Sequence, residues 1–179
     1  KQIAETDDFR HFESPINRRE PGLLISWVDD DGHSLVYNRF KPILQDYNIP
    51  ITSALVTSRL DGRMNHLNEE QRKELQELGM EFISHSHLHD VNHKPDDMTE
   101  EELEYDFSTS KELLKKHGYN YRGIAIPFAS LSDLTIKVAN RYFDYVIGTT
   151  RGGVNAEAQI PGELSNKYLW RVSVENGFD

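Results

Sequence analysis

Three histidines stand close together near the middle of the chain, in the order His85-Ser-His87-Leu-His89. Imidazole nitrogens bind one metal only if they converge on a point roughly 2.0–2.1 Å from each. On a strand, positions i and i+4 lie ~13 Å apart, whereas on a helical turn their Cβ atoms lie about 5–6 Å apart. His85 and His89 can therefore share a metal only if the chain turns directly after Ser84, which leaves His87 pointing elsewhere. The alternative is a polar loop with solvated histidines.

A cluster of carboxylates, Asp29-Asp30-Asp31-Gly32, follows an apolar run that begins at Leu23. Adjacent carboxylates repel one another unless a cation or protons compensate their charge. Asp30 and Asp31 can face one site only where the strand ends and the chain bends, which Gly32 permits. One Asp with two His is a sound catalytic site for Zn²⁺ or a similar ion, and a second carboxylate nearby could take a proton from water. The alternative is an ordinary acidic turn.

The composition limits the possible metal ligands and binding partners. The 179 residues fit one domain, contain no cysteine and carry a net charge of −10. Without thiolates, any metal ligands must be histidine and carboxylate. Nucleic acid is excluded as a partner because a polyanion would be repelled by most of the surface. No apolar run reaches the ~18 residues of a membrane-spanning helix.

Apolar runs and helical patterns alternate along the chain. Strands are predicted over residues 23–28, 51–57, 80–84, 124–127, 145–149 and 169–174, with helices between most of them. This order predicts right-handed βαβ units and a mostly parallel sheet. In such folds, functional sites lie beyond the C-terminal ends of the strands. The aspartates follow the first predicted strand, the histidines the third, and Pro127-Phe128 ends the fourth.

Two helix starts and one irregularity are visible in the sequence. Asn68 with Gln71, and Thr99 with Glu102, are spaced as capping boxes and predict the beginnings of two helices. Pro42 lies within the preceding helical pattern, where it predicts an interruption or the start of a second half.

The motifs resemble those of the polysaccharide deacetylases, the NodB-like carbohydrate esterases. Their first motif, Phe-Asp-Asp-Gly at a strand end, corresponds to residues 29–32, with Asp29 in place of the aromatic residue. Their second motif, His-Ser/Thr-x-x-His, corresponds to residues 85–89, and their third, centred on Pro-Tyr/Phe, corresponds to Pro127-Phe128. The resemblance covers roughly residues 22–174 in the order expected for the family.

The resemblance implies an α/β fold, namely a distorted, incomplete (β/α) barrel with mostly parallel strands. Residues 1–21 would be a polar lead-in and residues 22–179 a deacetylase-like catalytic domain. The expected partner is an acetylated glycan, and the expected location is outside the cell or at its surface.

The resemblance also implies a role for each site residue. Asp31, His85 and His89 would bind a divalent metal, usually zinc in this family, and Asp30 would be the general base. It would activate a water on the metal to attack the acetyl carbonyl of an N-acetyl sugar. The metal and the backbone N–H of Phe128, the residue after Pro127, would stabilise the oxyanion. Acetate would leave with an amino sugar, or with a sugar hydroxyl if the ester is O-linked.

Two departures from the family pattern concern the base and the acid. The Arg that often orients the base in the third motif is replaced by Ala125 or a neighbour, and Arg122 is out of register. The late Leu-x-His motif, which supplies the general acid, is missing, since no histidine follows His117. Either the chain stops short of that segment, or another histidine acts, or there is no acid. The candidate substitutes, in falling order of preference, are His87, His33 and His93; for each, the alternative is a surface histidine.

The third metal ligand has an alternative as well. His93 lies four residues after His89, so His85, His89 and His93 could form a trio on one helix. The sequence of residues 92–95 instead indicates a loop, which favours Asp31 as the third ligand.

Three functions are compatible with these residues. The first is a metal-dependent deacetylase of an N-acetylated polysaccharide. The second is a non-catalytic glycan-binding or structural module that retains the deacetylase fold, as the missing Arg and late His suggest. The third is another amidohydrolase with a His/Asp metal site.

Overall fold

An α/β architecture runs through residues 27–149 and 168–171, which are the ranges that the computed structural model describes. Its strands and helices, in chain order, are β1 (Trp27–Asp29), α1 (Leu35–Tyr47), β2 (Ile51–Leu55), α2 (Glu69–Glu77), β3 (Glu81–Ser84), α3 (Glu100–Lys116), β4 (Gly123–Ala125), α4 (Asp133–Tyr142), β5 (Tyr145–Thr149) and β6 (Tyr168–Arg171). The strands join one sheet in the order β1 to β6. β1 pairs in parallel with β2, β3 with β4, β4 with β5, and β5 with β6. Parallel strands in chain order with intervening helices are the arrangement of a (β/α) barrel. The predicted distorted, incomplete (β/α) barrel is confirmed.

The strand ends differ in detail from the predicted ones. Residues 23–26 of the first predicted strand lie outside the described ranges, as do residues 1–21. β2 ends at Leu55 rather than Thr57, because the chain tightens into a 3₁₀ turn over Thr57–Arg59. The bounds of the catalytic domain stay a prediction.

Pro42 lies inside α1, and the helix continues across it, so the predicted interruption is wrong. A proline removes one backbone hydrogen bond but leaves the remaining ones in place. Side chains tie α1 to α2 next to the proline. Lys41 Nζ lies 2.6 Å from Glu74 Oε2, and the Tyr37 hydroxyl donates to the same oxygen at 2.6 Å. These contacts, with the buried Leu44, hold the helix together on either side of Pro42.

The described residues pack as two compact units, 27–53 with 59–82, and 54–58 with 83–149 and 168–171. The second unit holds an apolar core in which α3 and α4 pack against β4 and β5. Its buried members are Met98, Leu103, Phe107, Ile124, Ile126, Val138, Ala139, Phe143 and Val146.

Both predicted capping boxes are present. Asn68 and Gln71 exchange side chain-to-backbone hydrogen bonds of 2.9 and 3.0 Å at the start of α2. Thr99 and Glu102 do so at 3.3 and 2.8 Å at the start of α3. Each satisfies backbone N–H groups that a helix start otherwise leaves without partners. None of the described helices is both long and apolar enough to cross a bilayer.

Candidate metal centre

The chain bends sharply just beyond the C-terminal ends of β1, β3 and β4. Asp31 has φ 70°, Ser86 and His89 have φ 66° and 48°, and Phe128 and Ala129 have φ 59° and 54°. Residues other than glycine rarely adopt this left-handed conformation, since it costs roughly 1–2 kcal/mol. Strained backbone of this kind collects at functional sites. All three segments with candidate chemistry therefore carry strained backbone.

His85 begins the histidine loop, which we define as residues 85–89. Its side chain is buried, and its Nδ1 lies 2.8 Å from the backbone oxygen of Ala125 in β4. A carbonyl oxygen can only accept, so Nδ1 carries the proton and Nε2 carries the lone pair. Metal-binding histidines use this arrangement, because the second hydrogen bond fixes the ring and its tautomer.

His89 ends the histidine loop beside His85. The centroids of the two rings lie 5.0 Å apart, although four positions separate them and β3 has already ended at Ser84. The chain thus turns after Ser84, as a shared metal requires. The ring of Phe128 packs on His89 with centroids 4.4 Å apart. Phe128, which follows the buried Pro127, thus contacts one of the candidate ligands.

Asp31, His85 and His89 form a group of potential metal ligands. One donor atom from each lies within 4.8 Å of the others, and within the described ranges no other group of three or more His, Asp or Glu meets this criterion. One carboxylate and two imidazoles are a donor set suited to zinc, which keeps open positions for water and substrate in catalytic sites. The residues therefore fit a divalent metal, and the preset tautomer of His85 agrees with that fit.

The three aspartates at the end of β1 have different surroundings. Asp29, which occupies the place of the family's aromatic residue, accepts a 3.0 Å hydrogen bond from the Ser53 hydroxyl of β2. Asp30 and Asp31 follow the last residue of β1 and are partly exposed. The chain bends at Asp31 and Gly32, which both have left-handed backbone, with φ 70° and 65°.

His87, the preferred candidate for the general acid, contacts Thr57 and Tyr105. Its Nδ1 lies 3.0 Å from the Thr57 hydroxyl, and its ring meets Tyr105 edge to face with centroids 6.3 Å apart. The ring is partly exposed, so it can exchange protons with solvent. A role as general acid stays a prediction.

His33 and His93 have partners of their own. The ring of His33 lies 5.9 Å from that of His66, and His93 Nε2 lies 3.3 Å from Glu102 Oε1. Residues 90–93 form a turn rather than a helix. The alternative trio of ligands on one helix is therefore wrong, because the helical spacing it needs is missing.

Arg122 does not replace the family's arginine. It precedes β4, whereas Pro127-Phe128 follows that strand, so the two lie at opposite ends of β4. Its Nε pairs with Asp144 instead. At the C-terminal end of β4, the backbone oxygen of Ala125 serves the site by fixing His85.

Two residues near the candidate chemistry were not identified from the sequence. His66 is buried with its Nε2 3.2 Å from Arg59 Nη1, and burial together with the Arg59 charge holds the pKa of His66 below its usual range. Asp106 of α3 is also buried. No local signal marks His66. Asp106 could have been found, because it lies on the apolar face of α3, three residues after Leu103.

The chain is similar in sequence to known deacetylases. Residues 19–143 match the family described as polysaccharide deacetylase. Over 162 residues, the chain is 27% identical to the poly-β-1,6-N-acetyl-D-glucosamine N-deacetylase of Staphylococcus epidermidis. That match covers 84% of this chain and 54% of the relative, so the chain spans about half the relative's length.

Solved structures share the fold. The Streptococcus pyogenes deacetylase PplD, solved in complex with acetate, superposes with a TM-score of 0.72 at 25% identity, covering 88% of this chain and 68% of that one. A de-N-acetylase from Aggregatibacter actinomycetemcomitans superposes with a TM-score of 0.67 at 23% identity, covering 84% and 71% of the two chains.

Proposed function

Because the chain belongs to the polysaccharide deacetylase family, we propose that it is a metal-dependent hydrolase that removes acetyl groups from N-acetylated sugars of a polysaccharide. The observation that carries the proposal is the group formed by Asp31, His85 and His89, with ligand atoms within 4.8 Å of one another. These residues would hold the metal, and zinc is the ion that their donor set fits best.

Bound there, the metal would supply Lewis acidity, which lowers the pKa of water and polarises the acetyl carbonyl. Asp30 would accept the proton of the attacking water. The backbone N–H of Phe128 would donate to the oxygen that becomes negative in the transition state. Ala125 would keep the ring of His85 in the tautomer that leaves Nε2 for the metal.

The leaving nitrogen of an amide needs a proton, and His87 is our candidate for the group that supplies it. Its partly exposed ring can exchange protons with solvent, which supports this role. If His87 is the acid, His87→Gln should lower kcat and remove the loss of rate that deprotonation of an acid causes at high pH. We would measure kcat between pH 5 and 9. An unchanged pH profile with full kcat in His87→Gln would exclude His87 as the acid.

We propose a polymer of N-acetylglucosamine as the substrate class, since the S. epidermidis relative is named for such a polymer. The charge of the chain agrees, because a neutral glycan avoids repulsion and its deacetylated product is cationic, whereas this chain carries −10. Such a substrate would place the protein outside the cell or at its surface.

The central test is acetate release from N-acetylglucosamine oligomers by the protein before and after metal removal. We expect release to stop when a chelator strips the metal and to return when Zn²⁺ is added back. An O-acetylated glycan, tested in parallel, decides between amide and ester. Release that a chelator leaves unchanged would contradict the metal-dependent mechanism, and failure of the zinc-loaded protein on every acetylated glycan would contradict the deacetylase.

A non-catalytic glycan-binding module is the second candidate. It is favoured by the departures from the family pattern, namely Asp29 in the place of an aromatic residue and Ala125 near the place of the orienting arginine. Such a module would bind the same oligomers without releasing acetate, and Asp30→Asn would leave its affinity unchanged. Isothermal titration with the oligomers distinguishes it from the enzyme.

A further inference from the structure

The histidine loop has a conformation that needs external support. Ser86 and His89 both have left-handed backbone, with φ 66° and 48°. In this region the Cβ of an L-residue crowds a backbone carbonyl, so a loop with two such residues persists only where its surroundings hold it. Two parts of the second unit support the loop from outside, namely the residues that follow β2 and the helix α3.

The first support comes from the residues that follow β2. The backbone N–H of Thr57 donates to the oxygen of Ser86 at 3.1 Å, and the N–H of Ser58 donates to the oxygen of His87 at 3.2 Å. These bonds fix two carbonyl groups of the loop. The N–H of His85 donates to the Leu55 oxygen at 2.8 Å and that of Ser86 to Ser84 Oγ at 3.0 Å, so the N–H groups of His87 and Leu88 are satisfied from another side.

The second support is a single carboxylate of α3. Asp106 Oδ1 accepts hydrogen bonds from the N–H groups of His87, at 3.0 Å, and Leu88, at 2.7 Å. Asp106 has no exposed surface, and burial raises the pKa of its carboxyl while these two N–H groups oppose that rise. A buried carboxylate destabilises a fold unless donors compensate it. Here the main-chain donors are the consecutive N–H groups of His87 and Leu88, which lie between His85 and His89 in the histidine loop.

We propose that Asp106 is a positioning residue of the metal centre. By holding the N–H groups of His87 and Leu88, it keeps the loop in the turn that sets the ring of His89 beside that of His85. This inference rests on the proposed function, because it assumes that the two histidines bind a metal. A shift of either ring by a fraction of an ångström suffices to weaken a coordination bond.

The same helix supplies a matched control. Ser110, one turn after Asp106 and likewise fully buried, makes a 2.7 Å hydrogen bond through its Oγ to Ser84 Oγ in β3. Ser110→Ala therefore removes a buried polar contact between α3 and the sheet without removing the acceptor of His87 and Leu88. Ser84 Oγ also accepts the N–H of Ser86 at 3.0 Å, and Ser110→Ala leaves that acceptor in place. A general loosening of α3 would affect both variants, whereas loss of the acceptor for His87 and Leu88 is confined to the Asp106 variants.

The test combines two measurements on wild type, Asp106→Asn, Asp106→Ala and Ser110→Ala. Hydrogen exchange of the His87 and Leu88 amides, followed by NMR in the metal-free protein, reports the loop. Competition with a chelator of known affinity reports Zn²⁺ binding. We expect Asp106→Ala to expose both amides and to weaken zinc binding by roughly 10- to 100-fold, as loss of an outer-shell partner does. Asp106→Asn should lie in between, since a neutral acceptor makes weaker bonds, and Ser110→Ala should match wild type.

Wild-type zinc affinity in Asp106→Ala would overturn the proposal, whether or not the amides exchange faster. Equal weakening in Ser110→Ala would overturn it too, because the effect would then be one of general packing. If Asp106→Ala does not fold, Asp106→Asn decides: wild-type exchange together with wild-type affinity refutes the positioning role. A wild-type protein that binds zinc but releases no acetate refutes the proposed enzyme and leaves the role of Asp106 intact.

Discussion

Asp30→Asn is expected to lower kcat for acetate release by about 10²- to 10⁴-fold, which is the range that general acid–base groups contribute. The amide has the size of the carboxylate but cannot take a proton from the attacking water at neutral pH. Because Asp30 is not one of the three proposed ligands, the zinc content of the variant should equal that of wild type. The value of kcat is measured at a saturating concentration of N-acetylglucosamine oligomer, and the zinc content is measured by metal analysis of the same sample.

The control for this variant is the neighbouring Asp29→Asn, which removes the same charge. The Asp29 carboxylate accepts a hydrogen bond from Ser53 and has no proposed part in the reaction. Its substitution should therefore change kcat only a few-fold. Wild-type kcat in Asp30→Asn would exclude Asp30 as the base, and an equal loss in Asp29→Asn would trace the effect to the local negative charge instead.

Features with a local signal were predictable from the sequence. The starts of α2 and α3 follow from capping boxes, in which the two partners lie three residues apart and their contact needs nothing else from the fold. The turn after Ser84 follows from the spacing of His85 and His89 if both bind one metal. Chain order and hydrophobic pattern suffice for the parallel sheet, because right-handed βαβ units leave few other topologies.

Features that depend on distant partners were not predictable. Pro42 was expected to interrupt α1 or to start its second half. The helix instead continues across Pro42, and Lys41 and Glu74, which lie 33 positions apart, hold it to α2. The tautomer of His85 depends on the oxygen of Ala125, 40 positions away. The hydrophobic pattern of a sequence does not indicate which residues so far apart will form hydrogen bonds.

Asp106 falls between these two cases. Its place on the buried face of α3 can be read from the helical period, and a carboxylate among Leu103 and Phe107 is conspicuous there. Its partners, however, are backbone N–H groups, which every residue has and which leave no trace in the sequence. The sequence can therefore indicate that Asp106 is a buried acid, but only the fold shows its hydrogen bonds to the histidine loop.

The second large effect is expected for His89→Gln, which should weaken zinc binding by more than about 100-fold. This exceeds the roughly 10- to 100-fold typical of losing a residue that only supports a ligand, because one of three protein ligands disappears. His89 is partly exposed, whereas His85 is buried, so substitution of His89 carries the smaller risk to folding. Glutamine keeps a polar side chain of similar length but lacks the imidazole lone pair that zinc binds. Chelator competition gives the affinity, and urea unfolding of the metal-free protein checks the fold.

His93→Gln is the matched control, since it removes a histidine four residues further on that pairs with Glu102. It should bind zinc as wild type does, because residues 90–93 form a turn that gives His93 no helical alignment with His89. Equal losses of zinc affinity in the two variants would indicate that His93, rather than Asp31, is the third ligand. Retained zinc binding in His89→Gln, with binding lost in His93→Gln, would reject the proposed ligand set altogether. The pair of variants thus tests the choice of Asp31 over a third histidine without altering Asp31, whose neighbour Asp30 has a separate proposed function.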